Sequence, residues 1–161
     1  MSAVKRIGVA VGCGLLLATL LPATTASAVC YVNTRAEKSF ARKINLARSA
    51  AGRNRLRLDP ELSKAAKVHS REMVSRETLY HTPTNTLKRR VTRWTTLGEN
   101  VGVGGTVTTL HTAFMGSSAH RANILYSSFR HVGVGTKRAG GRLWVTVIFE
   151  ARTDPGSPLC N

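Results

Sequence analysis

The C-terminal part of the chain contains a segment that is apolar on both faces. From Leu143 to Phe149 the sequence reads LWVTVIF, so apolar side chains occupy both the odd and the even positions. A strand with one face in water alternates apolar and polar residues, so this pattern predicts a sheet that is covered on both sides. The preceding segment, His131–Lys137, predicts a partner strand, and Ala139-Gly140-Gly141 predicts the hairpin turn between the two.

Helical patterns precede these strands. The first begins with a capping box of Thr34 and Glu37, and the second begins with Asp59 as N-cap and Pro60 at the first helical position. The predicted helices cover residues 34–52, 59–76 and 106–116, with a short one near 120–125, while residues 79–96 predict a long loop with one helical turn. The pattern therefore predicts the α+β class, with helices around a small antiparallel sheet. On the first helix we place the basic side chains on the solvent face: Arg35, Lys38, Arg42, Lys43 and Arg48.

The N-terminus has the organisation of a secretory signal. Lys5 and Arg6 precede an apolar run from Ile7 to Leu21, and small residues follow up to Ala28. A membrane anchor is the alternative, but spanning a bilayer takes roughly 20 apolar residues, and this run is shorter. We therefore predict a signal peptide over residues 1–28, a single domain over 29–161, no transmembrane segment in the mature chain and a secreted, extracellular location.

Cysteine usage agrees with export. Cys13 lies in the signal, so the mature chain keeps Cys30 and Cys160, one near each end. Disulfides form in oxidising compartments, and we predict that these two cysteines pair. The alternative is that one of them is a reactive thiol nucleophile.

The charge of the chain limits its partners. The sequence has 24 Lys and Arg against 8 Asp and Glu, for a net charge of +16. Without Lys5 and Arg6 of the signal, 22 basic residues face 8 acids and the net charge is +14. Such a surface suits anionic cell-wall polymers or lipid headgroups through screened, salt-sensitive contacts. Nucleic acid is a poor candidate, because the protein is exported and its basic runs have few stacking aromatic residues nearby.

Isolated polar residues at element boundaries are the candidates for chemistry. They are His81 after the second helix, Glu99 in the run GEN, and His120 in the run SSAHRANIL. The sequence has no His-Glu-x-x-His motif, no Cys-x-x-Cys pair and no Gly-x-Ser-x-Gly elbow. These absences leave the two histidines and the glutamate as the strongest candidates.

The order of these motifs resembles a known family. The runs YHT, GEN, SSAHRANIL, HVGVG and LWVTVIFE follow one another as in the CAP superfamily of cysteine-rich secretory, antigen 5 and pathogenesis-related 1 proteins. The resemblance covers about residues 35–150 and is nearest to the bacterial SCP-like extracellular branch. It implies a three-layer α-β-α sandwich, the CAP fold, and a cavity lined by two histidines and two glutamates. Matching by motif gives His81, Glu99 and His120, whereas the position of the second glutamate falls near Ser117.

The resemblance also implies a divalent-metal site, such as one for Zn²⁺, at His81 and His120. Two neutral imidazoles can share such an ion, with water in the open positions and a carboxylate orienting one ring. The alternative is a polar network that holds the loops to the sheet, with each group satisfying another.

The resemblance and these residues together lead to two functions. The first, which the resemblance implies, is a non-catalytic binding module at the cell envelope, acting on lipid, protein or other extracellular ligands. The second is a metal-dependent extracellular hydrolase, similar to a protease, in which Glu99 is the catalytic general base. The binding module is favoured, since the sequence contains no strong nucleophile and no complete set of metal ligands.

We predict that peptide mapping of the exported protein under non-reducing conditions will find Cys30 joined to Cys160. A loop of nearly the whole chain would stabilise the fold by about 4–5 kcal/mol in the chain-entropy model. Reduction should therefore lower the melting temperature. Alkylation of either thiol without prior reduction would contradict the pairing.

Overall fold

The structure is a computed structural model, and it describes residues 31–152 of the chain. Within that range the chain forms five helices and one four-stranded sheet. The predicted signal peptide and the predicted Cys30–Cys160 disulfide lie outside the described residues. In chain order the elements are α1 (Arg35–Ala50), β1 (Arg57–Leu58), α2 (Pro60–Ser75), α3 (Thr84–Arg90), β2 (Thr96–Gly104), α4 (Val107–Gly116), α5 (Ser118–Leu125), β3 (His131–Ala139) and β4 (Arg142–Ala151).

The sheet has the strand order β1-β3-β4-β2. Its centre is the predicted hairpin, in which β3 and β4 pair antiparallel around Gly140 and Gly141, at φ 54° and 69°. Two successive residues at positive φ suit the tight turns that match the strand twist. The edge strand β2 pairs antiparallel with β4, and the two-residue strand β1 pairs parallel with β3. The sequence did not predict β1, whose two residues are too few to give a periodic signal.

Both faces of the sheet are covered, as the apolar pattern of β4 predicts. On one face Val145, Val147 and Phe149 pack in a core with α1, α4 and α5. On the other face Ile148 packs against α2 and α3, and Trp144 packs against the end of α2. The α+β, three-layer α-β-α arrangement is therefore confirmed.

The helix starts are those that the sequence predicts. Thr34 and Glu37 form both hydrogen bonds of the capping box on α1. The Asp59 carboxylate accepts from the first backbone N–H groups of α2, whose first residue is Pro60. The loop after α2 contains a seven-residue helix, α3, which is longer than the single turn expected. None of the helices between residues 31 and 152 combines the length and apolar character that crossing a membrane requires.

Arg48 is not on the solvent face of α1, contrary to our expectation. Its side chain is fully buried, and its guanidinium donates to the carbonyl oxygens of Asn54, Ile124 and Tyr126 at 2.7, 2.7 and 2.9 Å. The helix turns this position towards the loop after α1 and the end of α5, where carbonyls lack backbone donors. Arg48 therefore ties three chain segments together.

Close contact between α2 and β3 brings two backbones together. A Cβ atom built on Gly133 would lie 2.2 Å from the carbonyl carbon of Leu62, and one on Gly135 would lie 2.1 Å from the amide nitrogen of Lys67. Real side chains do not tolerate such distances, so only glycine fits at these positions. The glycines that alternate with valines in β3 are therefore the positions at which α2 lies directly on the strand.

We predict that Gly135→Ala will lower the free energy of unfolding by about 3 kcal/mol or more, because the added methyl group overlaps the α2 backbone. Gly105→Ala is the matched control, since a Cβ there meets no atom within 4 Å. The control should change stability by no more than about 0.5 kcal/mol. Denaturant unfolding measures both, and equal stabilities for the two variants would contradict the close contact.

Candidate functional site

The candidate site lies at the β2 edge of the sheet. His81 is in the loop between α2 and α3, and Glu99 is in the middle of β2. The Nδ1 atom of His81 lies 2.9 Å from Oε1 of Glu99. An ionised carboxylate only accepts hydrogen bonds, so the His81 Nδ1–H donates and the ring presents Nε2 outwards. The His81 side chain is 61% exposed, whereas the Glu99 side chain is 5% exposed.

Thr82 donates two further hydrogen bonds to the Glu99 carboxylate. Its backbone N–H donates to Oε1 at 2.8 Å, and its hydroxyl donates to Oε2 at 2.6 Å. The carboxylate of Glu99 thus accepts three hydrogen bonds from two consecutive loop residues. Thr82 is not among the residues that the sequence predicts for the site, and its one signal is its place directly after His81.

The second histidine, His120, is on α5, which two asparagines join to β2. Asn100, next to Glu99 on β2, donates its side-chain N–H to the backbone oxygen of His120 at 3.0 Å. Asn123 donates to the Asn100 side-chain oxygen at 2.9 Å and to the Glu99 backbone oxygen at 3.1 Å. The His120 ring packs on Phe114, with 4.7 Å between ring centroids. These bonds fix α5 against the same stretch of β2 that carries Glu99.

His81 acts electrostatically on His120. The pKa of the His120 imidazole is lowered from its ordinary value of 6.5, mainly by partial burial and also by the charge of His81. A lowered pKa keeps His120 neutral near pH 7, which is the form that binds a metal or accepts a hydrogen bond. His81, Glu99 and His120 therefore share one region of the surface.

Ser117 contributes less than the other candidates. It lies at the junction of α4 and α5 and is half-buried. Between residues 31 and 152 its hydrogen bonds are backbone ones, to Ala113, Phe114 and Arg121. The structure does not show it bonded to either histidine or to Glu99.

Other histidines are parts of the core. His69 is fully buried on α2, bonded to the Tyr80 backbone oxygen at 2.8 Å and to Glu72 at 3.2 Å. His131 is buried at the start of β3, 3.6 Å from Glu150. Neither of them joins the candidate site.

The metal ligands that the resemblance implies are the imidazoles of His81 and His120. Among residues 31–152, the structure brings together no group of three or more His, Cys, Asp or Glu side chains that could hold a metal ion. A tetrahedral ion on His81 and His120 would take its remaining ligands from water or from a bound molecule. Such a site is open and is expected to bind metal weakly.

Comparison with known proteins agrees with this fold. The sequence model of one family, described as "CAP: Cysteine-rich secretory protein family", matches residues 41–149, more than half of the chain. The chain belongs to the cysteine-rich secretory protein (CAP) family. YkwD of Bacillus subtilis is 33% identical over 128 residues, which are 75% of this chain and 49% of YkwD. This CAP chain therefore spans about half the length of that relative.

Solved structures share the fold at lower identity. An outer surface protein of Borrelia burgdorferi has a TM-score of 0.68 and 18% identity, over 76% of this chain and 97% of that protein. An extracellular SCP-domain protein of Bacillus anthracis has a TM-score of 0.65 and 23% identity, over 72% of this chain and 40% of that protein. By name, both bacterial neighbours are proteins of the cell exterior.

We predict that the His120 imidazole will titrate below pH 6.5 in an NMR pH titration, because burial and His81 both disfavour its charged form. His81→Gln should raise the pKa of His120 part of the way, since burial is the larger cause. His111 is an internal control, because burial and Lys43 lower its pKa and His81 does not. A His120 pKa at or above 6.5, or one unmoved by His81→Gln, would contradict this electrostatic account.

Proposed function

We propose that the chain is a secreted, non-catalytic binding module that acts at the cell envelope. Membership of the CAP family and the exterior location named for its bacterial neighbours support this proposal. The net charge of +16 supports anionic wall polymers or lipid headgroups as partners. A lipid or protein ligand at the histidines is compatible with the same role.

The hydrogen bonding of Glu99 is the observation that carries the non-catalytic assignment. A general base must accept a proton from water or from substrate, within about 3 Å of its carboxylate. The Glu99 carboxylate is almost fully buried and already accepts from His81 Nδ1, Thr82 N and Thr82 Oγ1. Its geometry suits a group that holds the His81 loop against β2 and orients the imidazole.

The two histidines fit a weak divalent-metal site. His81 presents Nε2, which makes no hydrogen bond within residues 31–152, and Glu99 fixes the tautomer that leaves this nitrogen free for a ligand. His120 is kept neutral by its surroundings. A bound ion such as Zn²⁺ would supply a Lewis-acidic centre with open positions, at which a polar group of a ligand could bind.

A metal-dependent hydrolase with Glu99 as general base is the second candidate. It is favoured by the hydrogen bond between the Glu99 carboxylate and the His81 imidazole, a carboxylate–histidine pair of the kind that metal sites in enzymes use. It would require Glu99 to exchange at least one of its Thr82 or His81 bonds for a bond to water. The hydrolase ranks second because both carboxylate oxygens already accept hydrogen bonds from the loop.

Calorimetric Zn²⁺ titration and turnover assays separate the two candidates. We predict weak Zn²⁺ binding that is lost in the His81→Ala, His120→Ala double variant, with no turnover of peptide or cell-wall substrates by the parent protein.

We also predict that Glu99→Gln will cost about 1–3 kcal/mol of stability, because a glutamine turns an N–H group towards at least one donor. Thr82→Val is the matched variant, since it removes one of the same hydrogen bonds and keeps the carboxylate.

Substrate turnover that disappears in Glu99→Gln and persists in Thr82→Val would overturn the non-catalytic assignment. A Glu99→Gln variant as stable as the parent would contradict the structural role of the carboxylate. Loss of stability in the double histidine variant, with no Zn²⁺ effect in either protein, would remove the metal from the proposal and leave the polar network.

A further inference from the structure

Among the acidic side chains of residues 31–152, Glu77 is exposed and the others are engaged within the fold. Glu37 is fully buried and bonds Thr34, Thr136 and Lys67, and Glu99 is held by its loop partners. Glu72 pairs with Arg90, and Glu61 accepts from Thr92. Among residues 31–152 the buried acidic side chains are Glu37, Asp59, Glu99 and Glu150. Few carboxylates are left to neutralise the basic surface.

Helix α1 has exposed basic side chains without acidic partners in the part of the chain that the structure describes. Arg35, Lys38 and Arg42 are exposed, and with Ser39 they line a groove of about 560 Å³. No ion pair or hydrogen bond joins these three cations to another side chain within residues 31–152. The acid of this helix, Glu37, points into the core instead. We call Arg35, Lys38, Ser39 and Arg42 the α1 stripe.

The spacing of the α1 stripe suits a linear anion. Residues three and four apart on a helix lie on the same side, and successive turns are about 5.4 Å apart. The three cations therefore form a row along the helix axis with the Ser39 hydroxyl among them. A chain molecule with repeated phosphate groups could bond each turn in succession, by charge-assisted hydrogen bonds.

The other basic run, on α3, is already engaged. Arg90 is paired with Glu72, Arg89 donates to Thr86, and Lys88 lies over the Trp94 ring. The ion pair with Glu72 neutralises one of these three cations, and the other two side chains are already held by contacts within the protein. The α1 stripe is the stronger anion surface for that reason.

The position of the α1 stripe leaves the histidine site uncovered. Helix α1 packs on β3, α4 and α5, and the sheet order places β2, which carries Glu99, two strands away from β3. A polymer along the outer side of α1 would not need to cover His81. The protein could then be held at one surface and bind a ligand at another.

Resting on the envelope-binding function proposed above, we propose that the α1 stripe is the docking surface for a linear, phosphate-bearing polymer. A polymer fits better than a bilayer, because the apolar face of α1, with Phe40 and Ile44, is buried in the core. Leu46 is the one large exposed hydrophobic residue among the helical positions of α1, and a membrane-surface helix needs an apolar face to insert.

The test uses the mature protein and long-chain inorganic polyphosphate as the probe. The α1 variant combines Arg35→Gln, Lys38→Gln and Arg42→Gln, and the matched control combines Arg53→Gln, Arg55→Gln and Arg138→Gln, which are exposed elsewhere. Both variants lose three positive charges. At low salt the α1 variant should bind polyphosphate about 100-fold more weakly than the parent, whereas the control should lose less than about 5-fold.

The salt dependence gives a second measure. Each lost phosphate contact should make the plot of log affinity against log salt shallower, because fewer counterions are released. Equal losses of polyphosphate affinity in the two variants would overturn the α1 stripe as the docking surface, because net charge alone would then explain binding. If the parent protein binds phosphatidylglycerol vesicles and not polyphosphate, the partner is a lipid surface and the proposal of a polymer is wrong. A parent protein that binds neither probe would overturn the envelope-binding function itself.

Discussion

The contact between the α2 backbone and the β3 backbone is the constraint on which the rest of the structure depends. Gly133 and Gly135 let the helix lie directly on the strand, and any side chain there would collide with Leu62 or Lys67. Because α2 is fixed on the sheet, its C-terminal end and the loop that follows are placed beside β2. The His81–Glu99 bond forms at that point, so the candidate site is a consequence of how closely one helix packs.

The candidate site is built from polar groups that satisfy one another. Glu99 binds the His81–Thr82 segment. Asn100 of β2 donates to a backbone oxygen of α5, and Asn123 of α5 donates back to β2. The bond to Glu99 orients the exposed His81 imidazole, whereas the partly buried His120 imidazole packs against Phe114. The network interpretation and the proposed weak metal site are therefore compatible, since the same residues would serve both.

The sequence predicted those features that depend on local pattern. The capping box of α1, the Asp59-Pro60 start of α2 and the β3–β4 hairpin all follow from residues close together in the chain. It did not predict the burial of Arg48 or the role of Thr82. Arg48 bonds carbonyls up to 78 positions away, and Thr82 bonds a carboxylate 17 positions away. Such partners become visible only when the sheet brings distant segments together.

We propose that an excess of surface cations holds a non-catalytic CAP domain at an anionic envelope. The decisive experiment measures how much of the mature protein stays on isolated envelopes across a salt gradient. Raising salt from about 0.1 to 1 M shortens the Debye length from about 10 to 3 Å, so exposed charge contacts are largely screened. We expect release within that range, and retention through 1 M salt would contradict the proposal.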